Sequence, residues 1–130
     1  MRILHFSDTH GLHHQIRELP AADVIVHSGD ISHNGTEEEV LDFLNWFIEL
    51  PYLHKIFVTG NHDLCLWEAE GIEELPDNVH FLQDKSIVIE GIKFFGLGYD
   101  HQEMLIPDDA DIVVTDGTTF DLSDPLQRNR

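Results

Sequence analysis

Three short runs of β-branched and aromatic residues, at 3–6, 24–26 and 55–58, constrain the fold of this chain most strongly. Each run has the length and composition of a strand that is buried on both faces. Helical patterns separate the runs, so the chain alternates strand, helix, strand, helix, strand. This order predicts an α/β fold with two right-handed βαβ units and a mostly parallel sheet.

The two helical patterns differ in their signals. The first is a stripe of three apolar residues at i, i+4 and i+7 between residues 12 and 19, ended by Pro20. The second begins with a capping box, in which Thr36 is the N-cap and Glu39 the third helical residue. An apolar face over residues 40–48 follows it. We expect a helix at both places.

The second half of the chain contains short strand patterns instead of helices. They lie at residues 79–81, 86–90, 92–97 and 111–115. Glu90-Gly91 between the middle two predicts a tight hairpin. Residues 116–130 carry no clear pattern. We therefore expect one domain over residues 1–115 and an atypical tail over 116–130.

The charge balance excludes several classes of partner. The chain has 25 Asp and Glu against 7 Lys and Arg, a formal net charge of −18. Such a surface repels phosphate backbones and anionic lipids, so a nucleic-acid scaffold or a polybasic membrane role is not expected. With 42% hydrophobic residues the chain is not a disordered acidic segment. Its 10 His beside so many carboxylates suggest metal ions instead.

The remaining composition bears on the compartment. Cys65 is the only cysteine, so no disulfide can form within the chain. The apolar run near the N-terminus is too short for a signal peptide, and no window is long and apolar enough to span a membrane. We expect a cytoplasmic protein.

Polar clusters follow each of the first three strands. They are Ser-Asp-Thr-His-Gly at 7–11, His-Ser-Gly-Asp at 27–30 and Thr-Gly-Asn-His-Asp at 59–63. In open α/β sheets, sites form outside the carboxyl ends of the strands, so the three clusters should meet at one edge. Each cluster alone could be an ordinary turn. Together they predict a site for divalent metals, in which a carboxylate can bridge two ions.

These residues resemble a known family. Asp-x-His at 8–10, Gly-Asp at 29–30 and Gly-Asn-His-Asp at 60–63 look like the first three motifs of the calcineurin-like metallophosphoesterases. The Ser-Asp-Thr-His-Gly opening and the small size are most similar to the metallophosphodiesterase branch. The resemblance implies a β-sandwich flanked by helices (αββα), here truncated at its C-terminal side.

The resemblance also implies roles for single residues. Asp8 and His10 would hold a first metal ion, Asp30 would bridge two ions and Asn61 would hold the second. The ions would be two of Mn²⁺, Fe²⁺, Zn²⁺ or Mg²⁺, and a hydroxide bridging them would be the nucleophile.

Two residues are implied to be catalytic. His62 would face the phosphate and donate a proton to the leaving oxygen or stabilise developing charge. Asp63 would orient the His62 imidazole. The implied function is hydrolysis of a small-molecule phosphate ester, and phosphodiesterase activity is the expected form.

The chain departs from the family pattern after residue 115. Asp116 stands where the family has a histidine, the later Gly-His-x-His is absent, and no histidine follows His101. One alternative is that Asp116 serves as an oxygen ligand, which favours Mn²⁺ or Mg²⁺, and another is that His101 or His33 completes the site. Alternatively, a second copy of the chain completes it as a homodimer, or the end of the sequence is altered.

Two further alternatives concern function. The chain could be a catalytically impaired, metal-binding or regulatory remnant of the family, or an interaction module with an acidic surface. A shortened second sheet would leave an apolar face that a homodimer could cover.

The other histidines have weaker signals. His5 and His27 lie in strands and are predicted to be core groups or to support metal ligands. His13 and His14 are predicted to lie on a solvated helix face.

Overall fold

The computed structural model describes residues 1–69, 71–99 and 106–116 of the chain. Within these ranges the chain forms seven β-strands, one α-helix and two short 3-10 turns. The strands are β1 (Ile3–Phe6), β2 (Val24–His27), β3 (His54–Phe57), β4 (Val79–Phe81), β5 (Lys85–Ile89), β6 (Ile92–Gly96) and β7 (Ile112–Val114). The helix α1 spans Glu37–Ile48, and the 3-10 turns lie at His13–Gln15 and Leu64–Leu66.

The first sheet is fully parallel and has the order β1-β2-β3-β4. In its register Ile3 lies opposite Val24, and Val24 lies opposite His54 on its other side. The first three strands lie where the sequence predicts them, within a residue at each end. All four carboxyl ends therefore lie at one edge, as expected from the alternating pattern.

The second sheet has the order β5-β6-β7. β5 and β6 form the predicted hairpin, and the turn residues Glu90 and Gly91 both have positive φ values of 51° and 81°. β7 then pairs with β6 in the parallel direction, with Val114 opposite Gly96. This register brings the end of β7, and Asp116 beyond it, toward the carboxyl edge of the first sheet.

The predicted capping box at the start of α1 is present. The Thr36 hydroxyl accepts a hydrogen bond from the Glu39 amide at 3.2 Å. The Glu39 carboxylate accepts from the amides of His33 and Asn34, at 2.7 and 2.9 Å. Glu39 thus fixes the loop before the helix as well as the helix start. At the other end, the Lys55 ammonium donates to the carbonyl of Ile48, which suits the negative end of the helix dipole.

The first predicted helix is wrong. Between residues 12 and 19 only the 3-10 turn His13–Gln15 forms, and Ile16 already has an extended backbone. Leu12 is 58% exposed, whereas Leu19 is half-buried and packs against the core, so the three residues do not form one buried face. A helix of two turns without such packing is marginal in water.

Two apolar cores lie on opposite faces of the first sheet. On one face, Phe43 and Phe47 of α1 pack on Ile25 and Phe57. The other face of the first sheet packs against the second sheet. The core between the two sheets consists of Val24, Val26, Ile56, Val58, Leu82, Ile89, Phe94 and Val114. The order of layers is thus helix, sheet, sheet. The predicted α/β two-sheet fold is confirmed, with α1 as the only α-helix among the described residues.

No helix in the described part of the chain is long and apolar enough to cross a membrane.

Candidate metal centre

The loops that follow β1 and β2 are joined by backbone hydrogen bonds. The amide of Asp8 donates to the carbonyl of Gly29 at 2.9 Å, and the amide of His10 donates to the carbonyl of Asp30 at 3.0 Å. The ladder of the parallel sheet therefore continues past the strand ends. It places Asp8, His10 and Asp30 side by side at the carboxyl edge, as the sequence predicts.

Asp8, His10 and Asp30 share an uncommon backbone conformation. Their φ values are 58°, 47° and 60°, in the left-handed region. Such residues cost free energy and persist where the surroundings impose them, often at functional sites. Here the hydrogen bonds between the two loops impose it. The result is that both carboxylates and the imidazole turn toward a common point, where one ligand atom of each lies within 4.8 Å of the others.

Gly60 allows the loop after β3 to reach the same point. A Cβ atom at this position would lie 2.2 Å from Asp30 Oδ1 and 2.3 Å from the Asp30 amide nitrogen, so no side chain fits. The contact lets the amide of His62 donate to Asp30 Oδ1 at 2.9 Å. The third motif thus joins the first two through Asp30.

Asn61 lies directly against the Asp30 carboxylate. When its amide nitrogen faces Asp30, it donates to both carboxylate oxygens, at 2.9 and 3.0 Å. When the carbonyl oxygen faces Asp30 instead, three oxygens converge, and a cation is what stabilises such a group. Asn61 can therefore exchange a hydrogen bond for a metal bond by rotation of its amide.

Asp116 reaches the same edge from the second sheet. Its Oδ1 lies beside Gly29, 3.1 Å from where a Cβ of that residue would be. The Asp116 charge also raises the pKa of Asp30. All five predicted metal ligands are thus brought together. His101, an alternative ligand, and the tail after Asp116 lie outside the described residues.

The electrostatics of the centre fit a cation. The pKa of Asp30 is raised to about 6, mainly by burial. The charges of Asp116 and Asp63 and the contact with Asp8 also raise it, whereas a hydrogen bond from the His62 amide lowers it. Burial tends to raise the pKa of Asp8 as well. Hydrogen bonds from Ser7 and Asp30, together with the nearby histidines, outweigh burial and hold this pKa below its usual value. A divalent ion would remove the repulsion that raises the pKa of Asp30.

His10 has the bonding pattern of a ligand without its metal. Its Nδ1 is buried and has no hydrogen-bond partner among the described residues. Its Nε2 lies 3.6 Å from Asp8 Oδ1, which is too long for a good hydrogen bond. A buried imidazole nitrogen without a partner is uncommon, and it fits a ring that can bind a metal ion.

His62 lies beside His10, with 4.7 Å between the ring centroids. Its Nδ1 pairs with the carbonyl oxygen of His33 at 2.9 Å. This hydrogen bond raises the pKa of His62, and the charges of Asp30, Asp63 and Asp116 raise it further, against desolvation. In the metal-free protein these groups thus stabilise the protonated His62 ring relative to a free imidazole.

The predicted contact between Asp63 and the His62 ring is wrong, since the His33 carbonyl takes that place. The Asp63 carboxylate is fully buried and accepts from the amides of Asp30, Ile31, Ser32 and Gly60, at 2.9 to 3.2 Å, and from the Ser32 hydroxyl at 2.7 Å. Asp63 therefore holds the loop that carries Asp30. Its own amide donates to the carbonyl of Gly60.

The sequence offered His33 only as an alternative ligand, and the structure brings it to the site. His33, His10 and His62 form a second group with ligand atoms within 4.8 Å of one another. The Glu39 carboxylate fixes the His33 amide at 2.7 Å, so the capping box of α1 also positions this histidine. No spacing rule links a cap residue to a site on another loop, and the sequence therefore carried only the weak signal of one more histidine nearby.

His27 lies under the loops that follow β1 and β2 and hydrogen-bonds to both of them. It is fully buried, accepts from the Gly29 amide at 3.2 Å through Nδ1, and pairs through Nε2 with the Thr9 hydroxyl at 2.9 Å. These contacts fit a neutral ring with its proton on Nε2. His27 is thus a buried core group, as predicted, and its contacts hold residues next to the candidate ligands Asp8, His10 and Asp30.

A family model described as calcineurin-like phosphoesterase matches residues 1–128 of the chain. A UPF0046 protein of Caenorhabditis elegans is 33% identical over 76% of this chain and 39% of its own length. The human metallophosphoesterase domain-containing protein 1 is 27% identical over 89% of this chain and 48% of its own length. The chain spans less than half the length of these curated relatives.

Proteins of this family generally bind divalent metals, and the His and Asp groups at the carboxyl edge offer ligands for them. The family match covers nearly the whole chain, and it agrees with the three motifs and with the two-sheet fold. The chain therefore belongs to the calcineurin-like phosphoesterase family.

Proposed function

We propose that this chain is a metal-dependent phosphoesterase that hydrolyses a small-molecule phosphate ester, with phosphodiesters as the main substrates. The observation that carries the proposal is the group of Asp8, His10 and Asp30, whose ligand atoms lie within 4.8 Å of one another. Asn61 lies against Asp30, Asp116 reaches the same edge beside Gly29, and Asp30 is buried with its pKa raised to about 6. A stable fold tolerates such a group of acids when a cation compensates their charge.

The proposed centre holds two divalent ions. Asp8 and His10 would bind one, Asn61 and Asp116 the other, and the two oxygens of Asp30 would reach both. When bound, the ions would supply charge that orients the phosphoryl group and activates water for attack. The second group of ligands offers only oxygens, which favours Mn²⁺ or Mg²⁺ there.

His62 is proposed to act as the proton donor. Its hydrogen bond to the His33 carbonyl fixes the ring, and the nearby carboxylates favour its protonated form. A proton on Nε2 can then pass to the oxygen that leaves the phosphorus. Asp63 keeps the Asp30 loop in place and takes no part in the proton transfer.

The wall beside the centre favours a substrate with an apolar or aromatic group. The indole N–H of Trp67 donates to the Gly60 carbonyl at 3.1 Å, and its ring stacks on Tyr99 with 5.2 Å between centroids. The indole is about one third exposed. A ring of the substrate can stack on this surface while its phosphate reaches the metals.

The test is hydrolysis of bis-p-nitrophenyl phosphate with added Mn²⁺. We expect wild type to hydrolyse it, and His62→Ala to lose about 10²- to 10⁴-fold in rate, the range for a general acid. The matched control is His54→Ala, at the opposite edge of the sheet, which should keep the wild-type rate. Equal rates in wild type and His62→Ala would remove His62 from the mechanism.

A catalytically impaired remnant is the second candidate, and the oxygen-only ligands of the second ion favour it. Such a centre would bind one ion tightly and the other weakly. Calorimetric titration with Mn²⁺ separates the two. Two tight sites per chain contradict the remnant, whereas one tight site and no hydrolysis in any variant would support it.

A further inference from the structure

A second cluster of metal-binding side chains lies outside this centre. It consists of His13 and His14, from the 3-10 turn after β1, and Asp42, from the middle of α1. One ligand atom from each lies within 4.8 Å of the others. The three residues are not among the motifs that the family resemblance covers. We propose that they form a separate site for one Zn²⁺ ion, which links the 3-10 turn to α1.

The geometry carries the proposal. Nε2 of His13 and Nε2 of His14 each lie 2.9 Å from the same atom, Asp42 Oδ2. Two ligands on a tetrahedral Zn²⁺ at about 2.0–2.1 Å are roughly 3.3 Å apart, so these atoms need to move by only a few tenths of an ångström to receive the ion. Two imidazole nitrogens and one carboxylate oxygen are also a ligand set that zinc accepts, with water as the fourth.

Adjacent residues rarely converge in this way. Neighbouring side chains in a helical turn point in different directions and do not face each other. Here the rings of His13 and His14 are nevertheless 4.4 Å apart at their centroids, and both Nε2 atoms point to one carboxylate. A metal ion between three such groups gives a physical reason for the convergence.

His13 is preorganised for the role. Its side chain is fully buried, with Phe43 edge-on at 5.4 Å and Trp46 at 5.1 Å between ring centroids. Its Nδ1 is buried without a hydrogen-bond partner among the described residues, so Asp42 is its only polar contact there. Burial fixes the ring with Nε2 directed at Asp42, the position from which it would bind the ion, and the ring proton would then lie on Nδ1.

His14 and Asp42 make the site accessible. Their side chains are 59% and 54% exposed, so an ion and its water can enter without a change in the fold. The net charge of −18 further favours a cation at the surface.

The test is zinc binding measured by competition with a chromophoric chelator, in a background with His10→Gln and Asp30→Asn, which impairs the main centre and the group of His10, His33 and His62. We expect one Zn²⁺ per chain. His14→Gln and Asp42→Asn should each weaken the binding at least about 10- to 100-fold, since loss even of a supporting group has that effect. His54→Gln and Asp77→Asn are the matched controls, and both should bind as the background does.

Cobalt gives a second readout. Co²⁺ in a four-coordinate site of this kind absorbs visible light, and the band should disappear with His14→Gln and return with His14→Cys, since cysteine is also a zinc and cobalt ligand. Zinc affinity that is the same with and without His14→Gln or Asp42→Asn would overturn the proposal and leave a hydrogen-bonded cluster only. Neither result depends on hydrolysis of a phosphate ester, so the proposed function is judged separately.

Discussion

Left-handed residues at the metal centre and at the hairpin of the second sheet have very different surroundings. At the metal centre, Asp8, His10 and Asp30 have φ values of 47° to 60°, and the backbone of a neighbouring loop bonds to each. At the hairpin of the second sheet, Glu90 and Gly91 have φ values of 51° and 81°. A Cβ on Gly91 would meet nothing within 4 Å.

The difference shows what makes a strained backbone functional. In the hairpin, the left-handed pair simply matches the twist of the two strands, and solvent surrounds it. At the centre, the same conformation is held by a buried carboxylate, a glycine in close contact and a second loop. Conformation alone therefore does not indicate a site, whereas conformation with buried polar support does.

Asp63 is the residue that supports the loops of the metal centre most strongly. Replacement by Ala removes the acceptor for four buried amides and one hydroxyl at once. We expect a loss of about 3–5 kcal/mol in the free energy of unfolding, as for other broken buried networks. Urea unfolding of the metal-free protein measures it. Asp77→Ala, on the surface, should lose less than about 0.5 kcal/mol, and an equal loss in both would show that Asp63 does not hold the loops.

The two glycines offer a matched pair of substitutions. Gly60→Ala puts a methyl group 2.2–2.3 Å from Asp30 and should cost about 3 kcal/mol, since either loop must move. Gly91→Ala meets only the strain of a left-handed alanine, about 1 kcal/mol. Gly60→Ala should also weaken Mn²⁺ binding, while Gly91→Ala should not. Similar costs at both positions would mean that the loops at the centre yield as easily as a free turn.

The strands and α1 could be predicted from the sequence, but the contacts that support the loops of the metal centre could not. Strands and α1 have strong local signals, such as the Thr36 cap and the run that became β2. The 3-10 turn at His13–Gln15 was predicted as a helix because spacing alone does not show whether a stripe finds a partner surface. The role of Asp63 was also missed, because the direction of its side chain depends on how three loops meet. His33 and Asp42 reach their partners through α1, which no spacing rule reveals.

His27, which lies under the loops of the metal centre, makes the free energy of unfolding depend on pH. Burial lowers the pKa of His27 to about 3, against an unfolded value of 6.5. The unfolded chain thus takes up a proton first, so this contribution to stability is present above pH 6.5 and is lost as the pH falls toward 3. Between pH 6.5 and 5 the loss should be about 2 kcal/mol.

The check is a series of urea unfolding curves for metal-free wild type and His27→Gln. The opposing effect of the raised pKa of Asp30 is common to both proteins, so the difference between them isolates His27. We expect the advantage of wild type over His27→Gln to shrink with acid. His54→Gln, at the opposite edge, should show no such trend. A constant difference across this pH range would mean that His27 is not buried in its neutral form.

The central claim is that the acids at the carboxyl edge form a metal centre. Unfolding of wild type and Asp30→Asn at pH 7, with and without Mn²⁺, tests it most directly, because the nitrogen-rich His13–His14–Asp42 site binds Mn²⁺ weakly. Without metal, Asp30→Asn should be more stable than wild type by about 1–2 kcal/mol, since it removes a buried carboxylate whose pKa is raised. With Mn²⁺ at 100 times its dissociation constant, wild type should gain about 2.7 kcal/mol and Asp30→Asn almost nothing. Equal gains in both proteins, or no gain in wild type, would contradict the account.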